Sequence, residues 1–421
     1  MTFAPDTRVY LAISEHILST NALGREFLFW IGPGYGLILA GVESLFGSNH
    51  LYACGLNMLL GSLAAVAVYL LAYQLTDSKS VALIAGLIAA LSPTSLSLSC
   101  NILTDQPYYT FHAFALLLYT LGLSTSKGRW FVAAGLMAGC AAYIRALGQL
   151  WPLAFFLIPI LLPSRDRTLS KSRLSRMAMA KKVALTSGIA LIMILGWATR
   201  NYVTEGVFVF GGNGPIAARW YVAARAVVNS TNETDITQVQ RQWSEEDQLY
   251  YSDRTPTTAQ KYTRFKDQFM QFASEHPRWV VKAFFQNVAE NMKSANYFAR
   301  DQVPVLSSLW WTLIVATERW SSHAIAVISL IGLMIMVFHR RYYAALLLGG
   351  GFVYVTLVIG FSLWQGSRLH YPAEISWSIL LAYTICHAAR TLTGFWRRRP
   401  ALPNIAGEIA RFLRIRFPSG N

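Results

Sequence analysis

The sequence predicts an all-α polytopic membrane protein of about nine transmembrane helices, each near the roughly 20 apolar residues that a crossing needs. Three observations carry that prediction. Of 421 residues, 54% are hydrophobic and only 14% charged, with a mean hydropathy of +0.37; an ordinary soluble domain is about 25% charged. The apolar residues fall into many separate runs rather than one anchor. The basic residues crowd between those runs, in RDRTLSKSRLSRMAMAKK (165–182), HRR (339–341) and the tail from Arg390. Short basic loops held at one face follow the positive-inside rule and meet anionic membrane lipids. The net charge of +15 therefore argues for a membrane and against nucleic acid, since no stacking or groove-reading motif accompanies it.

Taken in order, residues 1–50 read as an outer-face loop with surface helices. PDTRVYLAISEHIL (5–18) carries Tyr10, Leu11, Ile13, Ile17 and Leu18 on one face, a short amphipathic helix starting near Asp6. FLFWIGPGYGLILAGVESLFG (27–47) is interrupted by glycines, Pro33 and Glu43, so it is expected to lie along the membrane rather than cross it. Residues 51–199 form the transmembrane core, with crossings at 51–74, 80–98, 107–124, 129–147, 149–163 and 182–199. The short, proline-bounded 149–163 run is expected either to tilt little or to pair with its predecessor as a tight hairpin. Residues 200–308 are a hydrophilic insertion that caps the outer face. Within it, Ser274 is expected to cap a helix bearing Trp279, Val280, Ala283, Phe284 and Val288 on one side. Crossings at 321–338, 342–363 and 371–390 make up the C-terminal region, 309–390. The cytoplasmic tail, 391–421, contains NIAGEIARFLRIRF (404–417), an interfacial amphipathic helix by pattern. Counting crossings from the basic loops puts Lys79 and SKGR (126–129) inside, and 99–107, 200–308 and 364–371 outside. The four cysteines show no metal-ligand spacing and no disulfide framework.

Charged groups at membrane depth are costly enough that function is their default reading. Asp105 interrupts two apolar runs in CNILTDQPYYTF (100–111), and Asp6 opens the first surface helix. Each is at a helix start, where capping is the structural reading. Two carboxylates on one outer face also suit general-base work on a hydroxyl. Arg145, Arg200 and Arg368 end apolar runs on that same side, with His370 and Tyr371 just beyond Arg368. Snorkelling to headgroups is their structural reading. Guanidinium also suits phosphate, because it forks two hydrogen bonds and keeps its charge.

The ordered motifs PDTRVYLAISEHIL, GPGYGLILAGVESLFG, LTDQPYYTF, YIRALGQLWP, GWATRNYVTEGVFVFGGNG and GSRLHYPAE resemble the GT-C membrane glycosyltransferases. The resemblance is to the group holding protein O-mannosyltransferases and lipid A aminoarabinose transferases, over about 4–215 and more weakly 364–375. It implies a GT-C helical bundle and inverting transfer of a sugar from a polyprenyl-phosphate donor to a hydroxyl acceptor. Lipid, glycan and protein all remain open as that acceptor. It implies a multi-pass protein of the bacterial inner (plasma) membrane with its active site facing the periplasm or exterior. By this resemblance Asp6 is the base, Asp105 a supporting acid, and Arg145, Arg368 and Arg200 bind the donor phosphate. Tyr10, Tyr35, Tyr108, His370 and Tyr371 are candidate substrate contacts, and a divalent metal is optional. Relatives place a transmembrane helix before the first acidic motif, whereas five residues precede Asp6 here. The competing class is a transporter or lipid flippase without covalent chemistry, which predicts charges at the bilayer midplane and repeated halves. Neither pattern is present in the sequence.

Overall fold

The computed structural model describes residues 5–23, 26–161, 166, 175–231, 235–253, 255–293, 324–363 and 367–398. Among them the chain is all-helical. The surface helix α1 (Pro5–Thr20) leads through α2 (Glu26–Trp30) into α3 (Gly34–Phe46), which packs back along it. Gly36 allows this approach, because a Cβ there would stand 2.3 Å from Ile13 Cγ2. The stretch 27–47 is thus broken into α2 and α3 at the Gly32–Gly34 turn rather than forming one continuous helix.

The core helices are α4 (His50–Thr76), α5 (Lys79–Leu91), α6 (Pro93–Ser99), α7 (Asp105–Thr125), α8 (Gly128–Ile144), α9 (Trp151–Leu161) and α10 (Arg176–Glu205). Helices Ala324–Phe338, Tyr342–Val358 and Glu374–Arg398 complete them. Among the described residues, three helices are long and apolar enough to cross a membrane: His50–Thr76, Met177–Glu205 and Tyr342–Phe361. The expected crossing at 80–98 is two helices bent by 51°. Pro93 is the cause. It pushes Ser92 out of the helical region (ψ 127°), and the Ser92 side chain caps α6 by accepting from Ser95 N. The 149–163 run begins as a 3₁₀ turn, Ala146–Leu150, ahead of α9.

Helix α7 is the axis of the bundle, lying between α4 and α8. It is buried on nearly every side, so its polar residues must find internal partners. Thr110 Oγ1 donates to Leu60 O (2.9 Å), and Thr120 pairs with the Tyr343 hydroxyl (3.0 Å). At one end of the bundle, Arg341 bonds Leu75 O and Asp77, Arg390 bonds Ser78 Oγ, and Lys182 bonds Ser126 O. Among the described residues, Arg341, Arg390 and Lys182 therefore stand at a single end. The 100–105 loop, the insertion and the Ser367–His370 helix gather at the other.

The insertion forms a helical cap: α11 (Asn213–Ala217), a π-helical turn (Ala218–Ala223), α12 (Ala224–Thr231), α13 (Ile236–Tyr250), α14 (Thr258–Glu275) and α15 (Pro277–Lys293). Ser274 does not cap a helix. It lies in the last turn of α14, whose start is closed by a capping box between Thr257 and Gln260. The break falls instead at His276, the residue restricted by Pro277. Trp279, Val280 and Phe284 pack on Val222, Ala226 and Phe269 within the cap. Asn287 and Asn291 then bolt the cap to the bundle, donating to the carbonyls of Gly360 (3.1 Å) and Ser362 (2.7 Å). The amphipathic tail, 404–417, lies outside the described residues.

Candidate active site

Four segments distant in sequence meet where the cap covers the bundle. The first is the opening turn of α1. Thr7 Oγ1 donates to Ile102 O (3.0 Å) and the Tyr10 hydroxyl meets Thr104 Oγ1 (3.4 Å), so α1 is tied to the loop that precedes α7. That loop is the second segment, held from behind by Asn57 Nδ2 donating to Asn101 O (2.6 Å). The third is Arg145, in extended conformation (φ −148°, ψ 130°) where α8 stops. The Gly32–Gly34 turn presses directly on this point. A Cβ on Gly32 would lie 2.4 Å from Tyr143 O, and one on Gly34 2.7 Å from Tyr143 C. Only glycine permits such backbone contact. The fourth segment, Ser367–His370, brings in Arg368.

These segments join two carboxylates through arginine. Asp105 Oδ1 accepts from Arg145 Nη1, and Asp105 Oδ2 accepts from Arg368 Nε at 2.9 Å. Arg368 Nη2 donates to Asp6 Oδ2, also at 2.9 Å. Exposure separates the two acids: the Asp105 side chain is 0% exposed, that of Asp6 48%. A carboxylate buried like Asp105 is tolerated only when its charge is met, and two guanidinium groups meet it. Asp105 is therefore not the N-cap of α7. That position belongs to Thr104, and the Asp105 oxygens are spent on arginine.

Asp6, Arg145 and Arg368 open into a cavity of about 740 Å³ beneath the cap. Its bundle side adds Tyr10, Trp30 and Thr104; its cap side adds Asn213, Tyr221 and Lys266. Ile144, Leu147, Val358, Ile359 and Phe361 form an apolar wall. The Asp6–Arg368–Asp105–Arg145 chain balances two negative charges with two positive ones, and Lys266 adds a further cation. Burial, then the nearby Asp6 charge, raises the Tyr221 phenol above its ordinary value, so it stays a hydroxyl donor at neutral pH. Burial raises Tyr10 in the same way. Among the described residues, no three His, Cys, Asp or Glu side chains group to hold a metal ion.

The remaining sequence candidates lie elsewhere. Arg200 donates to Asn201 Oδ1 (3.0 Å), stacks over Trp197 and does not line the cavity. Tyr35 stands behind Tyr10, its ring edge-on at 5.3 Å and its hydroxyl accepting from Asn57. Tyr108 is fully buried against His112. Tyr371 stacks on Tyr109 at 4.3 Å and donates to Gln106 Oε1 at 2.6 Å. His370 is half-buried and does not line the cavity either. Sequence reasoning missed Lys266 and Tyr221. The signal for Lys266 was weak: one of two lysines in the amphipathic stretch KYTRFKDQF, on the face shared with Phe269.

Comparison with known proteins agrees with this architecture. Residues 32–198 match the family of dolichyl-phosphate-mannose-protein mannosyltransferases. No curated protein sequence matches the chain. The chain is similar to the Archaeoglobus fulgidus oligosaccharyltransferase in its apo form, at 14% identity and a TM-score of 0.51, covering 97% of this chain and 50% of that one. The same enzyme AglB, in complex with an inhibitory peptide and a dolichol-phosphate, matches at 14% identity with a TM-score of 0.50, covering 98% and 50%. ArnT from Cupriavidus metallidurans, bound to undecaprenyl phosphate, matches at 16% identity and 0.40, covering 92% and 74%. The chain thus spans about half the length of the oligosaccharyltransferase it matches. By fold, and by the mannosyltransferase pattern of residues 32–198, the chain is similar to the GT-C membrane glycosyltransferases.

Proposed function

We propose that the chain is an inverting glycosyltransferase that moves a sugar from a polyprenyl-phosphate donor to a hydroxyl acceptor at the outer, periplasm-like face of a membrane. The observation that carries this reading is the Asp6–Arg368–Asp105–Arg145 chain at the floor of a cavity with one apolar wall. Arginines held at the end of a helical bundle suit a lipid phosphate, and the wall formed by Ile144, Leu147 and Val358 suits the start of its isoprenoid chain. A dolichol-phosphate bound to a protein of the same fold supports that donor class.

The roles divide by exposure. Asp6 is the half-exposed carboxylate and takes the proton from the acceptor hydroxyl. The acceptor oxygen then forms its bond to the anomeric carbon as the bond from that carbon to the phosphate oxygen breaks. The configuration inverts in this single displacement, and polyprenyl phosphate departs with the bonding electrons. Arg145 and Arg368 stabilise the charge that develops on the leaving phosphate. Asp105 is fully engaged with both arginines and acts as a positioning residue, fixing where their guanidinium groups point. Lys266 and Tyr221, reaching from the cap, are placed to contact the sugar or the acceptor. Arg200 has no part in this scheme.

The test is to incubate purified protein with radiolabelled polyprenyl-phosphate sugars and measure release of polyprenyl phosphate. Release that depends on an added hydroxyl acceptor supports the reading. Transbilayer movement of intact donor, with no release, would replace it with a flippase.

A further inference from the structure

The opposite end of the bundle holds a second polar cavity, of about 300 Å³, that the transfer reaction does not use. Three segments build it. The turn between α4 and α5 supplies Asp77 and Ser78, the turn after Ala324–Phe338 supplies His339 and Arg341, and the last turns of Glu374–Arg398 supply His387 and Arg390. Helix α4 runs from one end to the other: Asn57 holds the 100–105 loop and Thr76 lines this second cavity, 19 residues apart, about 29 Å at about 1.5 Å each, close to the thickness of a bilayer's hydrocarbon core.

The cavity is lopsided in charge. Asp77 is the carboxylate that lines it, against two arginines and two histidines. Arg341 is buried and aimed inward, with Nη1 donating to Leu75 O at 2.7 Å and reaching Asp77 Oδ2 only at 3.4 Å. Arg390 Nη2 donates to Ser78 Oγ at 2.9 Å. His339 Nδ1 meets the Tyr383 hydroxyl at 2.8 Å, and its ring lies 5.2 Å from that of His387. The N-terminus of α5 also faces this space, with Val81 in its lining, and adds a partial positive charge. Beside this polar pocket, Phe338 is 83% exposed, and Ile385 and Leu392 on the Glu374–Arg398 helix are exposed as well. A cationic pocket bordered by uncovered apolar side chains fits an anionic group that carries a hydrocarbon tail.

The geometry points to a binding site for the phosphate headgroup of an anionic membrane lipid, at the bundle end opposite the catalytic cavity. Arg341, Arg390, His387 and the α5 N-terminus hold the phosphate, while the acyl chains run over Phe338 and its apolar neighbours. The site would pin the bundle to one leaflet and add to the direct bonds by which Arg390 and Arg341 already join these segments.

Native mass spectrometry of the full chain, released from detergent with added phosphatidylglycerol or phosphatidylcholine, tests this. The unsubstituted protein should retain phosphatidylglycerol about tenfold more than phosphatidylcholine. The double variant Arg390→Gln/His387→Gln should lose that preference to within about twofold, with unchanged thermal unfolding. Arg129→Gln, a basic residue at the same end that does not line the cavity, should keep it. Equal retention of the two lipids, an unaltered preference in the double variant, or an equal loss in Arg129→Gln would each overturn the site. Displacement of the lipid by inorganic phosphate at matched concentration would assign the pocket to a soluble anion and overturn the lipid assignment.

Discussion

Replacing Arg368 with lysine removes geometry while keeping charge. Arg368 uses two different nitrogens, Nε to Asp105 and Nη2 to Asp6, each at 2.9 Å. A lysine ammonium is a single point that cannot span both carboxylates. With Asp105 wholly buried, the ammonium stays with that acid, and the bond to Asp6 is lost. A charge-assisted hydrogen bond contributes about 1.5–3 kcal/mol, which is about 10- to 150-fold in rate if Asp6 must be held in place as it takes the proton. Release of polyprenyl phosphate from radiolabelled donor should therefore fall by that factor in R368K, with a loss of thermal stability no larger than that one bond and smaller than in R368Q. R368Q serves as the contrast. It leaves Asp105 with Arg145 alone, and breaking a buried pair costs about 3–5 kcal/mol, so this variant should unfold measurably earlier. Turnover of R368K within about twofold of the unsubstituted protein would refute the bridging role, because charge alone would then suffice.

Three further outcomes follow from the same geometry. Asp6→Asn should lower transfer by about 10²- to 10⁴-fold while unfolding stays unchanged, since that side chain is half-exposed; retained turnover would remove Asp6 as the base. Arg145→Ala should raise the KM for the lipid-linked donor more than that for the acceptor, measured by varying each in turn, and a uniform change would argue against its contact with phosphate. Gly32→Ala drives a Cβ to 2.4 Å from Tyr143 O, so thermal unfolding in detergent should show a loss of about 1–3 kcal/mol together with reduced turnover from a displaced Arg145.

The site was legible in sequence as far as charge at helix ends could reveal it. Asp6, Asp105, Arg145 and Arg368 each stand where an apolar run begins or ends, and all four meet in the structure. Arg200 satisfies the same rule but does not line the cavity; Trp197 and Asn201 on its own helix engage it. A run-end position says how deep a charge lies, not which way around the helix it points. Tyr371 does not line the cavity either, for a related reason. Its place beside Arg368 in GSRLHYPAE put it near the site in sequence, but the 3₁₀ turn Tyr371–Ala373 rotates it inward onto Tyr109 and Gln106. Lys266 and Tyr221 were at most weakly marked in sequence because they reach the cavity through packing of the cap on the 359–362 turn, a contact between segments far apart in the chain.

Local signals also set the fold's exceptions. Pro93 marks a break at Ser92 that hydropathy alone smoothed over, and Pro277 sets at His276 a break that the sequence pattern places at Ser274. The first break bears on the site. By turning α6 through 51° from α5, it sends the chain from Ser99 into the 100–105 loop across the bundle end rather than out of it. Asn57 and Thr7 then hold the carbonyls of Asn101 and Ile102, and Asp105 enters α7 already surrounded. Its burial has a chemical consequence. A carboxylate that accepts from two guanidinium groups is a poor proton acceptor but a firm template for them. The half-exposed Asp6, tied by one bond, can approach a hydroxyl. In the proposed mechanism the two acids thus divide their work by depth in the fold, with Arg368 as the part they share.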